Sequence, residues 1–241
     1  MKIYNFHNQG ERPYQEDSYY IDTDKNLYII CDGVGGSKAG STASQEAINK
    51  IVSSFEKNNY KLNVNLLEEI IIDAQNHLIQ LSVDNQDLKG MGTTLILFYF
   101  DDKNGYVAHL GDSRLYFIPK NKDEYWVTKD HSFVQELFDE GILKDEIAMK
   151  NHPYKNRITK ALTTSRNLEI GDPSIKIIDN IQQGDFILLA SDGALESYTT
   201  DELVNYFRDT QNSYEKKWEA FEKICLDKSR DNNTSIGLLV T

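Results

Sequence analysis

Apolar residues recur along this chain with two periods, and the switches between them lay out its elements. Ser18 to Asp22 and Leu27 to Cys31 are short aromatic and β-branched runs flanking Thr23-Asp24-Lys25-Asn26, which predicts a β-hairpin. After a glycine-rich loop, Ser41 to Lys57 takes up a helical period, with Ala43, Ala47, Ile48, Ile51, Val52 and Phe55 on one side. A second helix is predicted from about Leu66 to Val83, with Asn65 as its N-cap. The period then returns to two. Thr93 to Phe100, Gly105 to Leu110, Arg114 to Ile118 and Tyr125 to Thr128 read as strands separated by polar turns. A short helix over Ser132 to Glu140 ends at Gly141, and strands follow at Ile175 to Asp179 and Phe186 to Ala190. Helices over Thr200 to Thr210 and Tyr214 to Lys228, then a strand over Ser235 to Val240, complete the pattern. Short strand-to-strand loops imply antiparallel pairing, and paired helices between strand groups imply covered sheet faces. The pattern is that of an α+β sandwich.

Four scattered prolines, no Gly/Ser tract and no internal repeat argue for one domain over residues 1–241. At 39% hydrophobic residues the chain can build a core, so disorder is excluded. The 38 acidic residues outnumber the 26 basic ones, for a net charge of −12. That balance disfavours binding to nucleic acid or to an anionic membrane. The longest apolar run, Leu95 to Phe100, is too short to span a bilayer, and Met1 to His7 does not resemble a signal peptide. The expectation is a cytoplasmic monomer. Cys31 and Cys225 form neither a disulfide framework nor a CxxC pair, and Cys31 is expected to be a core residue, because the aspartate after it would weaken a nucleophilic thiol.

The acidic residues fall at strand ends. Ile29-Ile30-Cys31 runs into Asp32-Gly33-Val34-Gly35-Gly36, Val107 to Leu110 into Gly111-Asp112-Ser113-Arg114, and Ile187 to Ala190 into Ser191-Asp192-Gly193. Asp231-Asn232-Asn233-Thr234 precedes the last strand, and Glu16-Asp17 precedes the first strand of the hairpin. Singly these are ordinary turn residues. Together, on two packed sheets, they can converge on one edge, where clustered carboxylates stay ionised only if cations neutralise them. An all-oxygen donor set suits Mg²⁺ or Mn²⁺ rather than zinc, and none of the five histidines has zinc-ligand spacing. Two such ions about 3.5–4 Å apart activate a water for in-line attack on phosphorus. Arg12, four residues before Glu16, can hold the phosphate bidentately.

These motifs, in this order, resemble the metal-dependent protein serine/threonine phosphatases of the type 2C (PPM) family in their compact bacterial form. The resemblance rests on Arg12 to Asp17, Asp32 to Gly36, Gly92-Thr93-Thr94, Gly111 to Arg114, Asp130-His131-Ser132, Ser191 to Gly193 and Asp231 to Thr234, and covers essentially the whole chain. It implies a four-layer αββα sandwich, two antiparallel sheets flanked by helix pairs, with the metal centre at one edge between the sheets. It further implies two to three Mn²⁺ or Mg²⁺ ions. Asp32 would bridge two of them, Asp192 and Asp231 would complete the first, and Glu16 with the Gly33 carbonyl would serve the second. Asp112 with Asp192 would hold a third. Asp17 would orient the attacking water. Residues 132–162 resemble the flap that affects substrate choice. Substrates would be phosphorylated proteins, and the biological opponent a bacterial Ser/Thr kinase. Val34 departs from animal-type relatives, which carry a general-acid histidine there. It cannot donate a proton, so a water on the third ion at Asp112 is the expected acid.

Two other functions compete. A two-metal nuclease uses similar carboxylates, but the charge of −12 weighs against it. A catalytically weak, regulatory phosphoprotein-binding member would be expected to have lost metal aspartates, whereas Asp32, Asp112, Asp192 and Asp231 are all present. His77 and His109 are expected to be satisfied core residues, while His131 and His152 lie near the flap.

Overall fold

The computed structural model of the chain describes residues 1–34, 38–121, 123–165 and 172–241, so Gly35 and Gly36 of the glycine-rich loop lie outside the described residues. The first part runs β1 (Lys2–Asn8), β2 (Ser18–Asp22), β3 (Leu27–Cys31), β4 (Gly33–Val34), α1 (Lys38–Lys57) and α2 (Val64–Asp84). The strand block is β5 (Gly92–Thr93), β6 (Leu95–Phe100), β7 (Gly105–Leu110), β8 (Arg114–Ile118) and β9 (Trp126–Val127). Then come α3 (Phe133–Asp139), α4 (Glu146–Lys150), β10 (Leu162–Thr163), β11 (Ser174–Ile178) and β12 (Phe186–Ala190). The chain closes with α5 (Asp192–Leu195), α6 (Thr200–Arg208), α7 (Tyr214–Lys228) and β13 (Asn233–Leu239).

Two five-stranded sheets form, in the orders β1-β13-β12-β8-β9 and β11-β7-β6-β3-β2, and their paired strands are antiparallel. The period of two assigns alternate side chains to different layers. On β3, Leu27, Ile29 and Cys31 pack with Ile48, Ile51, Ile70 and Leu78 of α1 and α2, while Tyr28 and Ile30 face the other sheet. On β12, Phe186, Leu188 and Ala190 meet Phe207, Trp218 and Phe221 of α6 and α7, while Ile187 and Leu189 face inward. Three apolar layers therefore hold four structural layers together, and the architecture is the αββα sandwich.

Several boundaries differ from the sequence reading. The cap of α2 is Asn63 rather than Asn65: its extended backbone lets its side chain accept the Leu66 N–H, and the helix starts at Val64. The strand expected from Thr93 breaks at Thr94. Thr93 pairs into a small sheet, β10-β5-β4, and Thr94 turns to bind the Asp32 backbone. β1, α4 and α5 carry no clear sequence signal. β1 is an edge strand with only Phe6 buried, and α4 and α5 are single turns. Among the described residues no helix is long and apolar enough to cross a membrane.

Candidate active site

Strand register brings the acidic turns together. Ser18 pairs with Cys31, which sets Asp17 beside Asp32 at the open end of the hairpin. Ala190 pairs with Ser235 on one side and Arg114 on the other, which directs Asp192 between the turns carrying Asp231 and Asp112. Arg12, Glu16, Asp32, Asp112, Asp192 and Asp231 line one pocket of about 160 Å³ at this edge, with Gly33 and Val34 in its wall. Asp17 is buried behind them.

Several of the acidic residues are held by neighbours. The Asp32 N–H donates to Thr94 Oγ1 at 3.0 Å, and the Asp32 carbonyl accepts from the Thr94 N–H at 2.8 Å. The Glu16 N–H donates to Asn232 Oδ1 at 2.8 Å, and its carbonyl accepts from the Gly33 N–H at 3.1 Å and Ser44 Oγ at 2.6 Å. A Cβ on Gly40 would stand 2.2 Å from Glu16 Oε1, so glycine there lets the carboxylate cross the start of α1. Gly111 adopts φ +97° beside Thr94, a conformation that allows the tight turn into Asp112. Asp17 Oδ2 accepts from Ser191 Oγ at 2.9 Å and Thr234 Oγ1 at 2.7 Å, whereas its Oδ1 is buried without a hydrogen-bond partner.

The electrostatics follow from crowding. Removal from water, and then the negative neighbours, push the Asp32, Asp112 and Asp192 carboxyls above the usual carboxylate range. Asp17 rises for the same first reason. Among the described residues no three such side chains close on one point as a finished metal site; they stand around the pocket wall. The donors are all oxygens, and the buried Oδ1 of Asp17 lacks a partner, so the set suits a hard divalent cation.

A model of the family described as protein phosphatase 2C matches residues 14–235. The chain belongs to that family. It is a metal-dependent serine/threonine protein phosphatase. The phosphatase is 29% identical over 212 residues to the serine/threonine phosphatase stp of Listeria monocytogenes serotype 4b, covering 85% of this chain and 82% of that one. The structure of Stp1 from Staphylococcus aureus is similar at TM-score 0.83 and 30% identity, covering 100% of this chain and 95% of the other. A second similar structure, the catalytic domain of PstP in complex with two manganese ions, aligns at TM-score 0.81 and 25% identity, covering 100% and 98%.

Some residues depart from expectation. Arg12, expected to hold phosphate bidentately, is already paired with a carboxylate: its Nη2 donates to Asp231 Oδ2 at 2.5 Å. The pairing arises because the loops are tied, Glu11 N–H donating to the Arg230 carbonyl at 3.0 Å. His77 is half-buried and bonds Glu46 at 2.9 Å. His109 is buried but not satisfied; neither ring nitrogen has a partner, and burial lowers its pKa to about 3, so it stays neutral. It stacks on His131 with centroids 4.7 Å apart, and His131 Nδ1 accepts from the Gly111 N–H at 3.2 Å. His131 thus braces the Asp112 turn and does not line the pocket. The base of the flap is closed by the Phe133 N–H to Arg157 carbonyl bond (2.9 Å) and the Thr159 N–H to His131 carbonyl bond (2.8 Å), while Leu162 already belongs to β10. Sequence reasoning missed Asn232, Ser191 and Thr234 as positioning groups, although all three stand inside the quoted motifs. It also missed Asn156 and Ile158, which reach the pocket from the flap and had no signal.

Proposed function

We propose that this phosphatase, acting as one catalytic domain over residues 1–241, removes phosphate from phosphoserine and phosphothreonine in cytoplasmic proteins and opposes a Ser/Thr kinase. The observation that carries the reading is the convergence of five carboxylates from separate turns on one pocket with an arginine at its mouth. Two to three Mn²⁺ or Mg²⁺ ions, held by Glu16, Asp32, the Gly33 carbonyl, Asp112, Asp192 and Asp231, would supply a nucleophilic hydroxide at neutral pH and neutralise phosphoryl charge. Arg12 binds and orients the phosphoryl group: a guanidinium has five N–H donors, and the Asp231 bond engages one edge. Asp17, buried behind the pocket with Oδ2 fixed on two hydroxyls, would orient the attacking water. Val34 lines the pocket without a titratable group, so the leaving alkoxide is not protonated from that position.

The test is hydrolysis of a phosphothreonine peptide with and without Mn²⁺, beside Asp192→Ala. Activity should require the ion and fall by at least about two orders of magnitude in the variant. Metal-independent turnover, or an Asp192→Ala protein as active as the parent, would overturn the assignment.

A further inference from the structure

The metal pocket continues into a larger groove of about 400 Å³, and the two share Asp112, Asn156 and Asp192. The smaller space is of a size for ions and a phosphoryl group. The larger has the volume of a site for an organic group. Val134, Met149 and Leu195 contribute buried apolar side chains to its lining, and Ile147 of α4, 61% exposed, stands at its outer wall. Most of the groove's charges are already used. Arg114 donates to both oxygens of Asp130, at 2.7 and 2.8 Å, and to Glu146 at 3.3 Å. Lys150 donates to the carbonyls of Leu195, at 3.1 Å, and of Tyr198. Lys155 and Glu196, one of each sign, also line it, and its two further carboxylates, Asp112 and Asp192, are those shared with the metal pocket. What the groove still offers is the apolar face of Ile147, backed by Val134, Met149 and Leu195, beside the uncharged amides of Asn151 and Asn156.

We propose that this groove is a specificity subsite that receives an apolar side chain flanking the phosphoserine or phosphothreonine of a protein substrate, with Ile147 as its outer wall. The proposal rests on the reading of the adjoining pocket as the phosphoryl site. Continuity supports it: successive residues of an extended chain are about 3.3 Å apart, so a phosphoryl group held beside Asp112 and Asp192 brings its neighbours to the groove. The wall is also preorganised. Glu146 accepts from the Thr200 N–H at 2.8 Å and Lys150 holds two carbonyls, so α4 is pinned at both ends before any substrate arrives.

The experiment uses the whole chain with Mn²⁺ and phosphothreonine peptides carrying Gly, Leu, Lys or Glu, one position at a time, within three residues on either side. Leucine at one position should raise kcat/KM about tenfold or more over glycine, chiefly through KM, with no gain for Lys or Glu. Ile147→Asp should erase that gain and Ile147→Met should keep it. Because Ile147 is exposed, both variants should fold, which thermal unfolding checks. Equal turnover of Gly and Leu peptides at every position, a preference for a charged residue, or a leucine preference that survives Ile147→Asp would overturn the subsite. Failure of the unaltered protein to hydrolyse any of these peptides or p-nitrophenyl phosphate would overturn the phosphoryl-site reading, and the subsite with it.

Discussion

One amide illustrates how single residues make this site. Asn232 is buried beside Asp231; its Oδ1 accepts from the Glu16 N–H at 2.8 Å, and its Nδ2 donates to the carbonyls of Gln9 at 2.7 Å and Tyr14 at 3.1 Å. The loop that carries Arg12 and Glu16 is thus fastened to the turn that carries Asp231, just before β13. Truncation would leave buried polar groups without partners, a cost of about 1–3 kcal/mol. Asn232→Ala should therefore lower unfolding free energy in urea by about that amount and reduce kcat/KM through a loosened Arg12 and Glu16. An unchanged urea midpoint would show that the amide does not carry this load. The aspartate before it was readable from sequence as a ligand candidate, but the asparagine's role was not. An Asp-Asn pair at a turn looks like any other until its three partners are seen.

At the scale of elements, α4 is the least predictable piece and among the best anchored. Its five residues contain no helical period long enough to read, which is why it carried no sequence signal. Its position comes from polar ends. Asp145 caps it by accepting the Ala148 N–H at 2.7 Å, Glu146 reaches Thr200 and Arg114, and Lys150 reaches the end of α5. Glu146→Ala should release the helix from the α6 cap. Amide hydrogen exchange across residues 146–150 should then quicken by about tenfold or more, since a lost hydrogen bond to a charged group is worth about 1.5–3 kcal/mol. Exchange unchanged from the parent would place the anchoring elsewhere. Other elements behave oppositely. β2, β3, β12 and α7 match their sequence boundaries, the strands because an apolar or aromatic run of five suffices to mark a strand and α7 because its stripe spans 15 residues.

For the molecule as a whole, the acidic edge sets a pH dependence. Asp17 is raised to about 7 and Asp192 to about 6, by burial first and by neighbouring aspartates as well. In the metal-stripped protein the folded state therefore binds more protons than the unfolded state from about pH 4, where free aspartate titrates, up to about pH 7. Thermal stability in EDTA should be highest at the low end of that window and should fall as pH rises through it. Mn²⁺ should restore it at the high end, by about 2.7 kcal/mol at a hundred times its Kd. Stability in EDTA that climbs across the window would contradict the burial of these carboxylates. Two or three bound divalent ions would also bring the net charge from −12 to about −8 to −6.

The amino-acid sequence by itself determined the layer pattern, the family motifs and the identity of the acidic turns. Each of those is written locally, in alternation, stripe or residue type within a few positions. Tertiary structure alone decided which turns meet. The pairing of Ser18 with Cys31 follows from a local hairpin turn, whereas the pairing of Ala190 with both Ser235 and Arg114 joins residues far apart in the chain, and no local pattern encodes that register. The same holds for the Arg12–Asp231 pair, the unsatisfied His109 and the groove under Ile147, which exist because the packing of distant segments leaves some groups paired, some stranded and some apolar surface open to water.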